Sequence, residues 1–330
     1  MQTRLTGAVL VTGAGGFIGS HLVARLVAHG HRVRAFCRYN SRADRGALEW
    51  LPRDLLREVE VVFGDLRDSE SVGAAATDAG TVFHLGAQVA IPYSYVNPRD
   101  FVETNLTGTL NVSEAARRTG VARIVHVSSS EVYGSAQRVP IAEDHPLEPQ
   151  SPYAATKLGA EKLARAFGLS FGVPTTIVRP FNTYGPHQSA RALLPTVVAQ
   201  ALISDELRLG AVDTRRDLTY VADTVAGLLA AAATPAAAGR TIQFGTGTDV
   251  SGTELVDLVG EALGRPLRIV RDEARLRPPD SEVRRLVSDP SLAHELLGWR
   301  AQVGLREGIE QTIGWVRSGL GRLRPEEYAV

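Results

Sequence analysis

Tyr153 and Lys157 stand four residues apart in Ser151-Pro152-Tyr153-Ala154-Ala155-Thr156-Lys157. In a helix that interval puts both side chains on one face. An ammonium beside a phenol favours the phenolate and draws its pKa down toward neutrality. The phenolate can then take the proton of a substrate hydroxyl while hydride leaves the carbon that bears it. The pair stands out further because Lys157 and Lys162 are the only lysines in the chain. Upstream, Ser128-Ser129-Ser130-Glu131-Val132-Tyr133-Gly134 follows the apolar run Ile124 to Val127 and supplies hydroxyls and a carboxylate.

Hydride needs an acceptor, and the start of the chain offers a place for one. Thr12-Gly13-Ala14-Gly15-Gly16-Phe17-Ile18-Gly19 follows the strand-like Val9-Leu10-Val11 and opens a helical segment. Gly13 permits a tight turn, Gly16 lets the backbone approach a pyrophosphate, and Gly19 lets the helix pack on the strand. The helix start, with Phe17 and Ile18, presents N–H groups and the positive end of its dipole to the phosphates. A structural glycine turn is the bland alternative; the strand-to-helix context argues for a dinucleotide such as NAD or NADP. At the end of the second strand Cys37 stands where an acid would hold the adenosine ribose, with Arg38 beside it. An acid favours NAD, whereas an arginine tolerates the 2′-phosphate, so NADP is slightly favoured; the competing reading has Arg38 in solvent. Asp65, after the third strand, is placed to meet the adenine edge.

The elements that must position these residues alternate along the chain. Val9 to Val11, Val33 to Cys37, Val59 to Phe63, Val82 to Leu85, Ile124 to Val127 and Thr176 to Val178 read as buried strands. His21 to His29, Ser69 to Ala79, Asn105 to Thr119 and Tyr153 to Phe171 read as helices between them. This is the pattern of an α/β, Rossmann-type doubly wound parallel sheet, with the site along the C-terminal edge of the strands. Residues 1–180 are expected to form the dinucleotide-binding domain with the catalytic residues. Residues 181–330 form mainly a smaller substrate-binding lobe interleaved with it. There, Leu193 to Ile203, the latter part of Thr219 to Ala233, a segment capped by Ser251 with Glu254, Ser291 to Leu297 and Gly304 to Ser318 read as helices.

Bulk properties exclude several classes. The 330 residues carry 36 basic and 36 acidic side chains, so nothing calls for nucleic acid. A single cysteine, Cys37, forms no intrachain disulfide, and no leader or membrane segment is evident, which predicts a cytoplasmic protein. His84 and His126 lie in core strands without the spacing of a metal site. His187 follows the Pro186 turn on the expected substrate side.

Taken together, the chain resembles the extended short-chain dehydrogenase/reductases of the nucleotide-sugar epimerase/dehydratase family. Thr12 to Gly19, His84 to Gln88, Asn105, Ser128 to Gly134, Tyr153 to Lys157, Arg179 to Pro186, Arg216-Asp217 with Tyr220 to Asp223, and Arg277 to Asp280 carry the resemblance. It implies that Ser129 holds the sugar O4, Tyr153 is the base and Lys157 its partner. It also implies that Asn182 and the backbone near Leu193 meet the diphosphate, with Arg216 and Arg277 as phosphate partners and Asp280 on the nucleotide ribose. Leu66, Leu85, Ala87, Asn105 and Pro180 would line the cofactor, and Gln88, Ser94 and Ser130 the substrate. A homodimer built from the two helices Asn105 to Thr119 and Tyr153 to Phe171 is implied as well.

Within the family, Glu131 points to 4,6-dehydration. Oxidation at C4 acidifies the C5 proton, a carboxylate removes it, the C6 hydroxyl leaves as water, and hydride returns to C6. Dehydratases of deoxythymidine-diphosphate glucose pair this Glu with a preceding Asp, whereas this chain has Ser130. Ser-Glu resembles GDP-mannose 4,6-dehydratases and dehydratases of legionaminic-type pathways, and also UDP-glucuronate decarboxylases. A 4-epimerase is the main alternative. A non-catalytic nucleotide-binding protein on the same fold would be expected to lack Tyr153, Lys157 or Ser129.

Overall fold

Short β-branched runs and helices assemble into a seven-stranded parallel sheet in the computed structural model, which describes residues 5–323. Met1 to Arg4, part of the leader reading, lie outside the described residues. The strands are β1 (Ala8–Thr12), β2 (Val33–Arg38), β3 (Val59–Gly64), β4 (Ala79–His84), β5 (Arg123–Val127), β6 (Thr175–Pro180) and β7 (Thr241–Phe244). Their order is β7-β6-β5-β4-β1-β2-β3. Every residue of β1 is buried, because helices cover both faces of the sheet. The order reverses between β1 and β4, which opens a crevice at their C-terminal ends.

The helices are α1 (Phe17–Ala28), α2 (Ser69–Ala76), α3 (Gly108–Thr119) and α4 (Pro152–Phe171). Asp68 caps α2, and Ser151 caps α4 by accepting from Ala154 N at 3.1 Å. The helix read as starting at Asn105 begins instead as a wider π-turn over Val102–Thr107. That turn carries Asn105, whose buried amide bridges Gln88 and Thr156.

The C-terminal half returns to the same sheet. β7 pairs with β6, a strand the sequence reading did not assign, since four residues between Gly239 and Gly245 carry too little periodicity. The remaining long helices are α5 (Leu193–Ala201), α6 (Val221–Ala233), α7 (Gly252–Leu263), α8 (Ser291–Leu297) and α9 (Leu305–Leu323). The capping box of Ser251 and Glu254 opens α7. Arg215–Arg216 lies between Val250–Ser251 and Arg285–Leu286 in a small sheet. Asp217, fully buried behind it, accepts hydrogen bonds from the N–H and hydroxyl of Thr246, the N–H of Gly247, and the N–H and hydroxyl of Ser288. This carboxylate ties three loops of the lobe together and fixes the backbone next to Arg216. No described helix is long and apolar enough to cross a membrane.

Four histidines are held neutral by burial. His84 lies 2.7 Å from the Thr12 hydroxyl and 3.0 Å from that of Thr109, with His126 beside it. His187 stacks on His21 at 4.5 Å and reaches the Ser20 hydroxyl at 2.9 Å, in a cluster with Trp50 and Trp315. It therefore faces α1 rather than the crevice. Burial pushes His84 down to about 3 and His187 to about 4, with His126 well below its ordinary 6.5 and His21 also lowered. Below 6.5 the unfolded chain takes up protons that the folded chain refuses, so stability falls as pH falls. His84 and His126, the two most deeply buried rings, should contribute most to that loss. Thermal unfolding should show a Tm that declines steadily from pH 6.5 toward 4; a flat profile over that window contradicts the burial of these rings as neutral groups.

Candidate active site

The crevice is a cleft of about 920 Å³ that runs from the glycine turn to the C-terminal lobe. A second cavity of about 500 Å³ in that lobe, around Thr248, His294 and Arg300, is lined by none of the candidate catalytic residues.

At one end the chain is shaped for a dinucleotide. Gly13 has φ +70°, and a Cβ there would lie 2.7 Å from Gly86 N. A Cβ on Gly19 would lie 2.2 Å from the Gly13 carbonyl oxygen, so turn and helix close on each other only through glycine. Gly16 caps α1 with no side-chain hydrogen bond, and the first turn carries no acid. The first-turn N–H groups, including those of Phe17 and Ile18, are thus left for an anion. Gly13, Gly16, Phe17, Ile18, Gly19, Leu85, Ala87 and Pro180 line this part of the cleft. The residues present fit a dinucleotide.

Where β2 ends, Cys37 is buried and its thiol is pushed up to about 11, with the Gly15 backbone as its partner. Arg38 is exposed on the cleft wall, and Arg45 lines the same end. Arg45 escaped the sequence reading. It reaches the cleft only because the Asn40 side chain, by accepting from the N–H groups of Arg42 and Asp44, folds the loop after β2 back on itself. Asp65 does not line the cleft. Arg67 clasps it at 2.6 and 2.9 Å, and that contact first of all holds its carboxyl below the usual range. Leu66 packs beneath Gly86 and Gly108.

The catalytic candidates converge at the ends of β5 and α4. Ser129 leaves β5 and caps a single turn, Ser130–Tyr133, by accepting from Glu131 N at 3.2 Å. Val132 and Tyr133 of that turn are fully buried, which leaves Glu131 on the cleft wall with Ser129 and Ser130. Among the described residues the Glu131 carboxylate accepts no hydrogen bond, and its charge acts on Tyr153 and Arg216. Tyr153 and Lys157 line the same cleft from the first turns of α4.

Their electrostatics correct one expectation. Burial outweighs everything else at Tyr153 and raises it to about 12, only partly offset by the nearby Ser129 hydroxyl and reinforced by Glu131. Lys157 donates to the Val127 carbonyl at 2.6 Å and is lowered to about 8 by burial, opposed by Glu161. The phenol is therefore protonated at neutral pH, and the lysine alone does not bring it to neutrality.

On the substrate side, Asn182, Leu193, Arg216 and Arg277 line the cleft. Arg216 and Arg277 approach one carboxylate oxygen of Glu282 at 3.5 and 3.4 Å. Asp280 is exposed and does not line the cleft, and its carbonyl accepts from Gln150. The acid beside Arg216 and Arg277 in the cleft is thus Glu282, two residues further on, which the sequence reading missed. Only the short turn Pro279–Ser281 decides which acid points inward. Gln88, Ser94 and Asn105 do not line the cleft. Their side chains are committed to Asp100 at 2.6 Å, to the Ile91 carbonyl at 2.7 Å, and to Gln88 and Thr156.

Comparison with known proteins sets this geometry in context. The family model described as GDP-mannose 4,6 dehydratase matches residues 10–312. A UDP-glucose 4-epimerase of Mycolicibacterium smegmatis is 35% identical, the match covering 94% of this chain and 98% of that one. A dTDP-glucose 4,6-dehydratase of Streptomyces antibioticus is 34% identical over 94% of this chain and 92% of its own length. Among solved structures, a double mutant of DesIV, a dTDP-glucose 4,6-dehydratase from Streptomyces venezuelae with NAD bound, superposes with a TM-score of 0.86 at 31% identity, covering 97% of this chain and 99% of that one.

Proposed function

Because this chain belongs to the GDP-mannose 4,6-dehydratase family of extended short-chain dehydrogenase/reductases, we propose that it is a nucleotide-sugar 4,6-dehydratase. The observation that carries this reading is the position of Glu131, a carboxylate free of hydrogen-bond partners on the cleft wall beside Ser129 and Tyr153. Simple epimerisation at C4 never deprotonates C5 and has no use for such a base. Glu131 acts on Tyr153 only to oppose its ionisation, so it does not serve the first oxidation either. A second reading, 4-epimerase, draws on the 35% identical relative. A purely binding role is disfavoured because Ser129, Tyr153 and Lys157 all line the cleft.

A dinucleotide held at the glycine turn by Gly13, Gly16, Phe17 and Ile18 would supply an acceptor for the C4 hydride and a donor for C6, with no net redox change. The chain does the rest. Ser129 orients the C4 hydroxyl, and Tyr153 takes its proton. A nicotinamide cofactor bound here would supply the positive charge that Lys157 alone does not provide against the burial of Tyr153. Glu131 then removes the acidified C5 proton. With Ser130 in place of an acid, Glu131 itself carries that proton to the C6 oxygen, which leaves as water as the C5–C6 double bond forms; when C6 is reduced, Glu131 delivers a solvent proton to C5 and Tyr153 releases the C4 proton to solvent. Arg216 and Arg277 take the diphosphate and exchange Glu282 for it, which frees Glu282 to accept from the nucleotide ribose in the role first expected of Asp280.

The two ends of the cleft suggest further properties. Arg38 and Arg45, with no acid at Cys37, support binding of NADP at least as well as NAD. Leu169 and Phe171 are 81% and 53% exposed at the end of α4, and the Arg117 guanidinium of α3 lies 4.9 Å over the Phe171 ring. An apolar surface on these two helices supports a homodimer in which they form a four-helix bundle.

Four tests bear on these proposals. Glu131→Gln should lower turnover by about 100-fold or more, with reduced cofactor and a 4-keto sugar accumulating and no loss of water by mass spectrometry. Tyr153→Phe should abolish even that first oxidation. Wild-type turnover in Glu131→Gln would sink the dehydratase reading in favour of the epimerase. The dinucleotide released on denaturing the purified protein should include NADP, and NAD alone would place Arg38 in solvent. Light scattering should give a dimer, against which a fully active monomer would count.

A further inference from the structure

Behind the catalytic wall lies a buried polar network that the mechanism above does not use. Glu161 sits four residues after Lys157 on α4 and is almost wholly buried. Its carboxylate accepts from Arg179 Nη2 at 2.5 Å, from Arg179 Nε at 2.9 Å and from the Ser128 hydroxyl at 2.9 Å. Arg179, on β6, is itself 3% exposed. Its guanidinium lies 4.9 Å over the Tyr133 ring and donates to the Tyr133 hydroxyl at 2.9 Å. Tyr133 passes the chain of bonds to Gln243 on β7 at 2.8 Å.

Removing two charges from water is costly, so a buried ion pair is weak grounds for stability by itself. A carboxylate kept here suits a neighbour that needs its charge. That neighbour is Lys157. Lys157 and Glu161 stand one turn apart on α4 and reach consecutive residues at the end of β5, the Val127 carbonyl and the Ser128 hydroxyl; His126 of β5 and His84 of β4 also act on Lys157, and Arg179 of β6 lies beyond Glu161. Both histidines are neutral and the phenol is protonated, so Glu161 is the opposite charge acting on the ammonium. Ser128, the other partner of Glu161, directly precedes Ser129.

We propose that Glu161 is the counter-ion that keeps Lys157 an ammonium in the folded chain, and that Arg179 holds Glu161 in place for this purpose. Both are positioning residues: neither lines the cleft, and each acts through Lys157 and the Ser128–Ser129 backbone. The inference rests on Lys157 being the partner of Tyr153, but not on which sugar reaction follows.

The scarcity of lysine makes the test direct. Lysine labelled with 13C at Cε gives two side-chain signals from the full chain, and the exposed Lys162 serves as internal reference. Without substrate, the Lys157 signal of the wild type should titrate near pH 8. In Glu161→Gln its midpoint should fall by about one pH unit or more. The alkaline limb of kcat should move down by the same amount, with KM for the nucleotide sugar unchanged. If Glu161→Gln fails to fold because Arg179 is left unpaired, the double variant Glu161→Gln/Arg179→Met restores charge balance and should show a smaller fall in the same direction, still above ~0.3 unit. A folded variant whose Lys157 midpoint stays within ~0.3 unit of wild type overturns the proposal. So does a wild-type midpoint below about 6, whichever variants fold. Neither result bears on the dehydratase reading, which the product analysis of Glu131→Gln decides.

Discussion

The ion pair of Arg179 and Glu161 is the contact on which the catalytic end of the molecule depends. It joins β6 to α4, and through Ser128 and Tyr133 it reaches the end of β5 and the turn that carries Glu131. Gln243 continues it to β7 and to the carbonyls of Ile141 and Asp289. Every donor and acceptor along this line is paired, as a buried polar network requires. A charge pair without those bonds would be expelled or would titrate away. The geometry is therefore specified by satisfaction rather than by packing alone, and the reactive side chains hang from its rim.

The same logic appears in the smaller lobe, with a different centre. Asp217 collects five donors from two loops and so fixes the strand on which Arg216 stands. Arg216 is then carried into the cleft although burial lowers its pKa, because Glu131 and Glu282 compensate its charge. The lobe presents a pre-formed cationic pair around an acid, and the sheet edge presents a helix start bare of side-chain caps. Two anion-seeking regions at opposite ends of one cleft, with a phenol, a lysine and a carboxylate between them, describe a site for two phosphate-bearing molecules that meet at a hydroxyl.

Burial decides how the central residues behave. In water a lysine four residues from a tyrosine would ease its ionisation. In the wall of this cleft, desolvation acts on both groups in opposite directions, raising the phenol and lowering the ammonium. The protonation states that chemistry needs are then set by fixed charges placed nearby, which is the part proposed for Glu161.

Much of this protein was legible in its residues because the relevant physics is local. The glycine spacing before α1, the Tyr153–Lys157 interval, the capping box at Ser251 and the apolar runs of β1 to β6 depend on neighbours within one turn or one strand. The tertiary structure alone decided what depends on distant partners. It turned Glu282 into the cleft and Asp280 out of it, brought Arg45 to the dinucleotide end, and committed the side chains of Gln88, Ser94 and Asn105 to internal hydrogen bonds. It recruited Thr241–Phe244 as the edge strand, since so short a run becomes a strand only when β6 offers it a partner. It also set the protonation of Tyr153, because desolvation belongs to the folded surroundings and is written in no spacing of residues.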